Sequence, residues 1–322
     1  MTQVMREAAG GTPAPLESVR AGLRAAGRRL RAWTRLAAAR CEAAHAGLLF
    51  DLGDLRRRPR RLNEATIRRL CVNAYLGDAS ALCRVLGRYK MFVDTGDIGL
   101  SSHLLIDGYW EMWVTEAMLG FVRAPMVAID VGANLGYYTL LLADLVGPGG
   151  RVHAFEPNPR IMQRLAHSVA VNSFGSRTTL HAAPLAGHAG ERVRLIVPDG
   201  EPKNAHILAE EHAAGAGVPL LTTTIDDVIG DGPVDFIKID AEGAELAIWH
   251  GMRRLLDRRR PLTIFLEFTS ARYADPAGFL AEIRAQGFAM AAIDPLAGVV
   301  PVDEATVLAG PRHEDWMLVL AR

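Results

Sequence analysis

The stretch that decides the fold is Val127–Thr139, VAIDVGANLGYYT. VAIDV is an apolar run of strand length, GANLG a turn, and YYTLLLADLVG the start of a helix. An open parallel sheet takes its ligand at such a strand-to-helix turn. Gly132 and Gly136 let the backbone turn tightly and approach a ligand with no Cβ in the way. RVHAFEP follows as a second apolar strand ending in Glu156, about 20 residues past the turn, where an acid suits two ribose hydroxyls. A dinucleotide fold wants glycine at the first, third and sixth positions of the turn. Here they are Gly132, Asn134 and Tyr137, so two of the three fail.

Working outward, VDFIKID and PLTIFLEF read as further central strands, and TTLHAAPL as a strand after the helix PRIMQRLAHSVAVNSF. ERVRLIVP and PLLTTTIDDVI read as strands around the polar loop DGEPKNAHILAEEHAAGAG. FLAEIRAQ reads as a helix, and GFAMAAI and DWMLVLAR as final strands. The helix after VDFIKID is expected to end at Gly251. YKMFVDT and SSHLLIDG predict short strands, and YWEMWVTEAMLGFV a helix whose Trp110 and Trp113 suit either core or pocket wall. NEATIRRLCVNAYLGDASALCRVLGR predicts two short helices, capped by Asn63 and broken at Gly77. Before Pro59, Leu16, Val19, Leu23, Leu30, Trp33 and Leu36 recur with helical spacing; residues 1 to 14 are small and polar. Strands alternating with helices mean a doubly wound, mostly parallel, Rossmann-like α/β sheet. The expected organisation is a helical, Arg- and Ala-rich region over residues 1–88 and the sheet domain over 89–322.

The formal net charge is zero, but residues 1 to 70 hold 15 Arg against 6 Asp or Glu. The rest of the chain is therefore acidic, which speaks against nucleic acid as its substrate. The basic arm suits anionic lipid, a glycan or a partner, or is simply a solvated helix face. Cys41, Cys71 and Cys83 form no C-x-x-C pair and read as free thiols of a reduced cytosol. No apolar run reaches spanning length and no signal-type apolar core opens the chain, so a soluble cytoplasmic protein is expected.

VDFIKIDAEGAELAIWHGM, Val234–Met252, narrows the family. With the D-V-G-A-N-x-G turn and the E-P pair ending the next strand, it resembles the FkbM-type methyltransferases, of class I fold. The resemblance spans roughly Tyr89 to Arg322. It implies S-adenosylmethionine as methyl donor and an oxygen acceptor on a sugar, glycan or secondary metabolite. By position it implies that Asp130, Gly132, Ala133, Asn134, Gly136 and Thr139 surround the methionine end. Glu156 would hold the ribose, with Pro157, Asn158 and Asn172 on the adenosine side. AAPLAGHAG, Ala182–Gly190, lacks the acid or hydroxyl that many relatives carry there, so backbone groups are left for the adenine.

Asp240 and Glu242 stand at the carboxyl end of the fourth strand and Glu267 at that of the fifth, the edge where ligands enter such a sheet. Asp240 is expected to bind and position, and Glu242 or His103 to take the proton from a hydroxyl acceptor. Glu242 and Glu245 could also simply favour a helix N-terminus. No His/Cys pattern suggests zinc; Asp240, Glu242 and Glu267 leave Mg²⁺ as a minor alternative. An amine acceptor is disfavoured because DAEG replaces the D/N-P-P-Y/F motif. The rival classes are a nicotinamide-linked oxidoreductase and a nucleoside-binding protein without catalysis. The N-terminal helices are expected to serve a homo-oligomer or a lid.

Overall fold

The computed structural model describes residues 49–198, 205–213 and 215–322. The helical pattern expected before residue 49, and Cys41, lie outside the described residues. Residues 50–322 form one compact unit.

Pro59 opens helix α1 (Arg60–Leu70). Asn63 is not its cap: it lies buried in the first turns and donates to the carbonyls of Asp54 and Arg58. The second expected helix is instead a pair of strands. β1 (Asn73–Gly77), β2 (Ser80–Val85) and β3 (Tyr89–Asp94) form an antiparallel meander. In SALCRV alternate residues, Ala81, Cys83 and Val85, are buried, a period of two that helical spacing cannot produce. Asp78 and Ala79, at φ 49° and 51°, supply the two-residue turn before it. The expected boundary at residue 88 falls inside the β2–β3 hairpin.

SSHLLIDG is a helix rather than a strand, α2 (Leu100–Ile106), because the Asp97 carboxylate gathers the N–H groups of Gly99 and Ser101 at its start. Helix α3 (Met112–Phe121) then delivers the chain to the central sheet. β4 (Val127–Val131), β5 (Arg151–Phe155) and β6 (Thr178–His181) run parallel, with α4 (Tyr137–Leu145) and α5 (Pro159–Val171) as crossovers. β7 (Arg192–Ile196), β8 (His206–Ala209) and β9 (Val218–Leu221) leave that sheet and form a small antiparallel one. TTTIDDVI does not extend β9; Thr224 caps a short helix, Ile225–Ile229. β10 (Phe236–Ile239) returns to pair in parallel with β4, and β11 (Thr263–Phe268) with β10. Helix α6 (Glu245–His250) between them ends at Gly251 as its sequence predicts.

Helix α7 (Pro276–Ala285) precedes the last three strands, β12 (Ala289–Asp294), β13 (Gly298–Pro301) and β14 (Trp316–Ala321). The sheet order is β13-β12-β14-β11-β10-β4-β5-β6, with β14 antiparallel to both neighbours. This is the mostly parallel α/β fold of class I methyltransferases. β10 is buried along its whole length and β4 along nearly all of it, which is why both read as continuous apolar runs. The direction of winding reverses between β4 and β10, so a crevice opens at their carboxyl ends. No helix among the described residues is long and apolar enough to cross a membrane.

Candidate active site

The turn after β4 is fixed by its backbone. The N–H groups of Gly132 and Ala133 both donate to the Phe155 carbonyl, at 3.1 and 2.9 Å. Asn134 holds a left-handed φ of 48° and its side-chain oxygen accepts from Leu135 N–H. That conformation aims Asn134 N–H at Glu156 Oε2, 2.9 Å away. Asn158 N–H serves Oε1 at 2.8 Å. Burial nevertheless pushes the Glu156 carboxyl up to about 7, against these two N–H groups that favour its charge. Its oxygens keep lone pairs free toward the crevice, so the residues fit a ribose diol.

Below the turn, Asp130 is fully buried and accepts from Thr139 Oγ1 at 2.6 Å. Its other oxygen has no hydrogen-bond partner among the described residues. Burial raises its carboxyl, opposed by the Lys238 ammonium and the Thr139 hydroxyl. Lys238 is itself buried, with Nζ 2.9 Å from Asp240 Oδ2 and 4.8 Å from the centre of the Tyr138 ring. Burial works against its charge, but Asp240, Asp130 and Glu111 outweigh it and raise the ammonium above its usual range.

The crevice is a cavity of about 340 Å³, lined by Gly132, Ala133, Asn134, Glu156 and Pro157 on one side and by Asp240, Glu242 and Glu267 on the other. Ala183, Pro184 and Leu185, from the stretch without an acid, line it too, as do Leu195, His206 and Ile207 of the small sheet. Glu242 meets Arg272 at 2.8 Å, and Glu267 contacts the same guanidinium. Burial and then the neighbouring Asp240 raise the Glu267 carboxyl, with Arg272 opposing. Glu245 organises this edge from beneath: wholly buried, it accepts from the N–H groups of Ala241 and Gly243 and from the Tyr273 hydroxyl. Glu242 and Gly243, at φ 50° and 104°, complete the bend it holds.

Several expected residues lie off the cavity wall. Asp130, Thr139 and Gly136 sit beneath or behind the turn, Gly136 packing on Leu165. Asn158 caps α5 through its side chain and steadies Glu156 through its N–H. Asn172 is corrected outright: it ends α5 and bonds both the N–H and the carbonyl of Lys90 on β3, away from the crevice. His103 is corrected as well. Its ring lies against Trp110, but more than half of the side chain is exposed and it faces Asp107 at 3.6 Å rather than the cavity. Trp110 does line the cavity, whereas Trp113 packs on the core.

The lining residues that escaped the sequence include Glu111, Tyr138, Arg272 and Asp315. Tyr138 stands in an apolar helix run, and Glu111 and Asp315 just ahead of a helix and a strand, at positions their patterns leave unmarked. Among the described residues no group of three or more His, Cys, Asp or Glu side chains is arranged to hold a metal ion.

No curated protein matches the chain. Among solved structures it is similar to an S-adenosylmethionine-dependent O-methyltransferase from Thermotoga maritima, at 13% identity over 75% of this chain and 77% of that one, TM-score 0.39. It is similar to an rRNA methylase from Streptococcus thermophilus at 12% identity over 65% and 93%, TM-score 0.36. A third is the O-methyltransferase TomG of tomaymycin synthesis from Streptomyces achromogenes, at 13% identity over 65% and 78%, TM-score 0.38. Residues 130–290, half of the chain and the span from Asp130 past both acidic strand ends, match the methyltransferase FkbM domain. The chain belongs to that family of S-adenosylmethionine-dependent methyltransferases.

Proposed function

We propose that the protein transfers the methyl group to a hydroxyl of a sugar, glycan or secondary metabolite. The observation that carries this is the composition of the cavity's second half. Glu111, Asp240, Glu242, Glu267 and Asp315 face it, against two Lys or Arg side chains among the described residues, Lys238 and Arg272. Carboxylates are hydrogen-bond acceptors for hydroxyl groups and proton acceptors for the one that reacts. The same surplus of negative charge disfavours the phosphates of a nucleic acid.

The cofactor supplies an electrophilic methyl group on a cationic sulfur. The chain's own residues do the rest. The Gly132–Asn134 turn admits close backbone approach, and Glu156 takes the ribose hydroxyls. Asp240, fixed by Lys238, positions the methionine end and the acceptor. The carboxylate wall favours positive charge beside it, and the walls exclude water so that oxygen, carbon and sulfur are held in line.

The test is incubation with S-adenosylmethionine labelled with ¹³C in the methyl group and a panel of saccharides, macrolides, phenols and amines. A methyl resonance in the ether region of the product spectrum is expected. Label on nitrogen or carbon alone would sink the reading.

A further inference from the structure

We propose that Glu111 takes the proton from the acceptor hydroxyl, the role the sequence suggested for Glu242 or His103. It rests on O-methyl transfer as the reaction.

The backbone singles Glu111 out. It stands at the N-cap of α3 with φ 35° and ψ 65°, a left-handed conformation that is strained for a non-glycine residue. Eight non-glycine residues among those described have positive φ, and Asn134, Glu242 and Glu111 are the three that line the cavity. Asn134 uses its conformation to serve Glu156, and Glu242 uses its own to reach Arg272. Glu111 makes no side-chain cap hydrogen bond, so its carboxylate is not spent on the helix terminus. Its carbonyl opens α3 by accepting from the N–H groups of Val114 and Thr115, but that needs no carboxylate, and strain held at a site wall points to use of the side chain.

The partners of the carboxylates point the same way. Glu156 is held by two N–H groups, Asp240 by Lys238, and Glu242 and Glu267 by Arg272. Asp315 accepts from Thr269 and is exposed. Glu111 is half-buried, in no ion pair, and accepts one hydrogen bond among the described residues, from the Tyr138 hydroxyl to Oε2 at 2.9 Å. The groups around it are Lys238 on β10 and Asp240 just past its end, Tyr138 and Tyr137 on α4, and Asp315 before β14. Burial first, then Asp240, lifts its carboxyl above the usual range, while Lys238 and the Tyr138 hydroxyl oppose. A carboxylate so placed is a better base than one locked on a guanidinium.

In the step, a lone pair of the acceptor oxygen forms the new O–C bond as the S–C pair returns to sulfur. The hydroxyl proton passes to Glu111 and from there to solvent. The products are the methyl ether, S-adenosylhomocysteine and one proton.

One arm of the test needs no acceptor. Calorimetry on the full chain compares S-adenosylhomocysteine, a neutral thioether, with sinefungin, which carries an ammonium in place of the methylated sulfur. Glu111→Gln is expected to weaken sinefungin about tenfold or more, as for charges meeting at an effective dielectric near 20, and to leave S-adenosylhomocysteine unchanged. The preference for sinefungin should rise with pH in the parent and rise less in the variant, where Glu242 and Glu267 are the remaining raised carboxyls opposite. Glu111→Gly removes the carboxylate and relieves the strain, so an undiminished melting temperature with the same lost preference excludes misfolding. Equal effects on both ligands, or none on either, overturn the proposal.

With an acceptor from the panel above, Glu111→Gln should lower kcat by roughly 10²–10⁴. Tyr138→Phe, which removes a bond favouring the carboxylate, should move the acidic limb of kcat to higher pH. Normal kcat in Glu111→Gln overturns the assignment. An N-methyl product made with the sinefungin preference intact would remove only O-methyl transfer.

Discussion

Gly132 lies directly against the main-chain carbonyl oxygen of Asp240. A Cβ on Gly132 would overlap that oxygen, so the glycine turn after β4 and the acidic edge after β10 are in backbone contact. The two motifs, more than a hundred residues apart, form one surface because β4 and β10 are adjacent parallel strands in register, with Val131 opposite Ile239. Gly132→Ala must push these strand ends apart at a φ of 71° that favours glycine. Overpacking of this kind costs about 1–3 kcal/mol, and the left-handed backbone adds roughly 1–2 kcal/mol. A lowered melting temperature and loss of calorimetric S-adenosylhomocysteine binding are expected. A variant that binds normally would mean that the contact is not needed.

Glu156 makes cofactor binding depend on pH near neutrality. Its carboxyl is lifted by burial from an ordinary value of 4.5 to about 7, and the charged form is the better acceptor for ribose hydroxyls. Affinity for S-adenosylhomocysteine should therefore weaken as pH falls below about 7 and level off above it. The ligand-free protein behaves oppositely. Between 4.5 and about 7 the folded state keeps a proton that the unfolded chain has lost, so stability falls as pH rises through that window. Glu156→Gln should flatten both dependences and weaken binding, since each charge-assisted hydrogen bond contributes roughly 1.5–3 kcal/mol. Titrations and melts at several pH values give the answer; a pH-independent parent would contradict it.

The parallel core was legible because fully buried strands such as VAIDV and FIKI are unbroken apolar runs whose glycines and acids stand at their carboxyl ends. Gly132, Glu156 and Asp240 stand out in that pattern, and Asn134 came from the family resemblance. The β1–β2 hairpin was not legible, because Arg and Ala in its surroundings favour helix and only its pairing with β3 rewards the alternation in SALCRV. Glu111 and Asp315 stand just before a helix and a strand whose apolar patterns mark the core-facing residues and not the polar one ahead of them, so no spacing announces them. Asn172 misled because an asparagine ending a helix reads alike whether it meets a ligand or the neighbouring strand.

Glu245 should matter more for stability and loop shape than for proton transfer. Glu245→Ala leaves Ala241 N–H, Gly243 N–H and the Tyr273 hydroxyl without their acceptor in a buried place. Each such loss costs about 1–3 kcal/mol where water cannot enter. The expected result is a clear drop in melting temperature together with weaker cofactor binding, because the bend carrying Asp240 and Glu242 loosens. Tyr273→Phe removes only one of the three bonds and should cost correspondingly less. Equal melting temperatures for the parent and Glu245→Ala would show that the bend does not need the carboxylate.

Truncation separates two candidate boundaries. Every described residue lining the cavity falls between Leu100 and Asp315, yet the support for that region begins earlier. Ile67, Val85 and Leu86 are completely buried in the same core as β4's neighbours. Arg60 pairs with Glu116 at 2.6 Å and Arg68 with Asp107 at 2.7 Å, tying α1 to the segments that carry Trp110 and Glu111. β2 is hydrogen-bonded to β3 along its full length. A chain of residues 89–322 would lose β2, expose the buried side of β3 and leave Glu116 and Asp107 without their cations. It is expected to aggregate or melt without a cooperative transition. A chain of residues 50–322 keeps all of these contacts and every described residue of the cavity wall, and is expected to bind S-adenosylhomocysteine as the full chain does. Calorimetry and thermal melts of the two truncated chains decide between the boundaries. A stable, ligand-binding 89–322 would show that the meander and α1 are dispensable to the site.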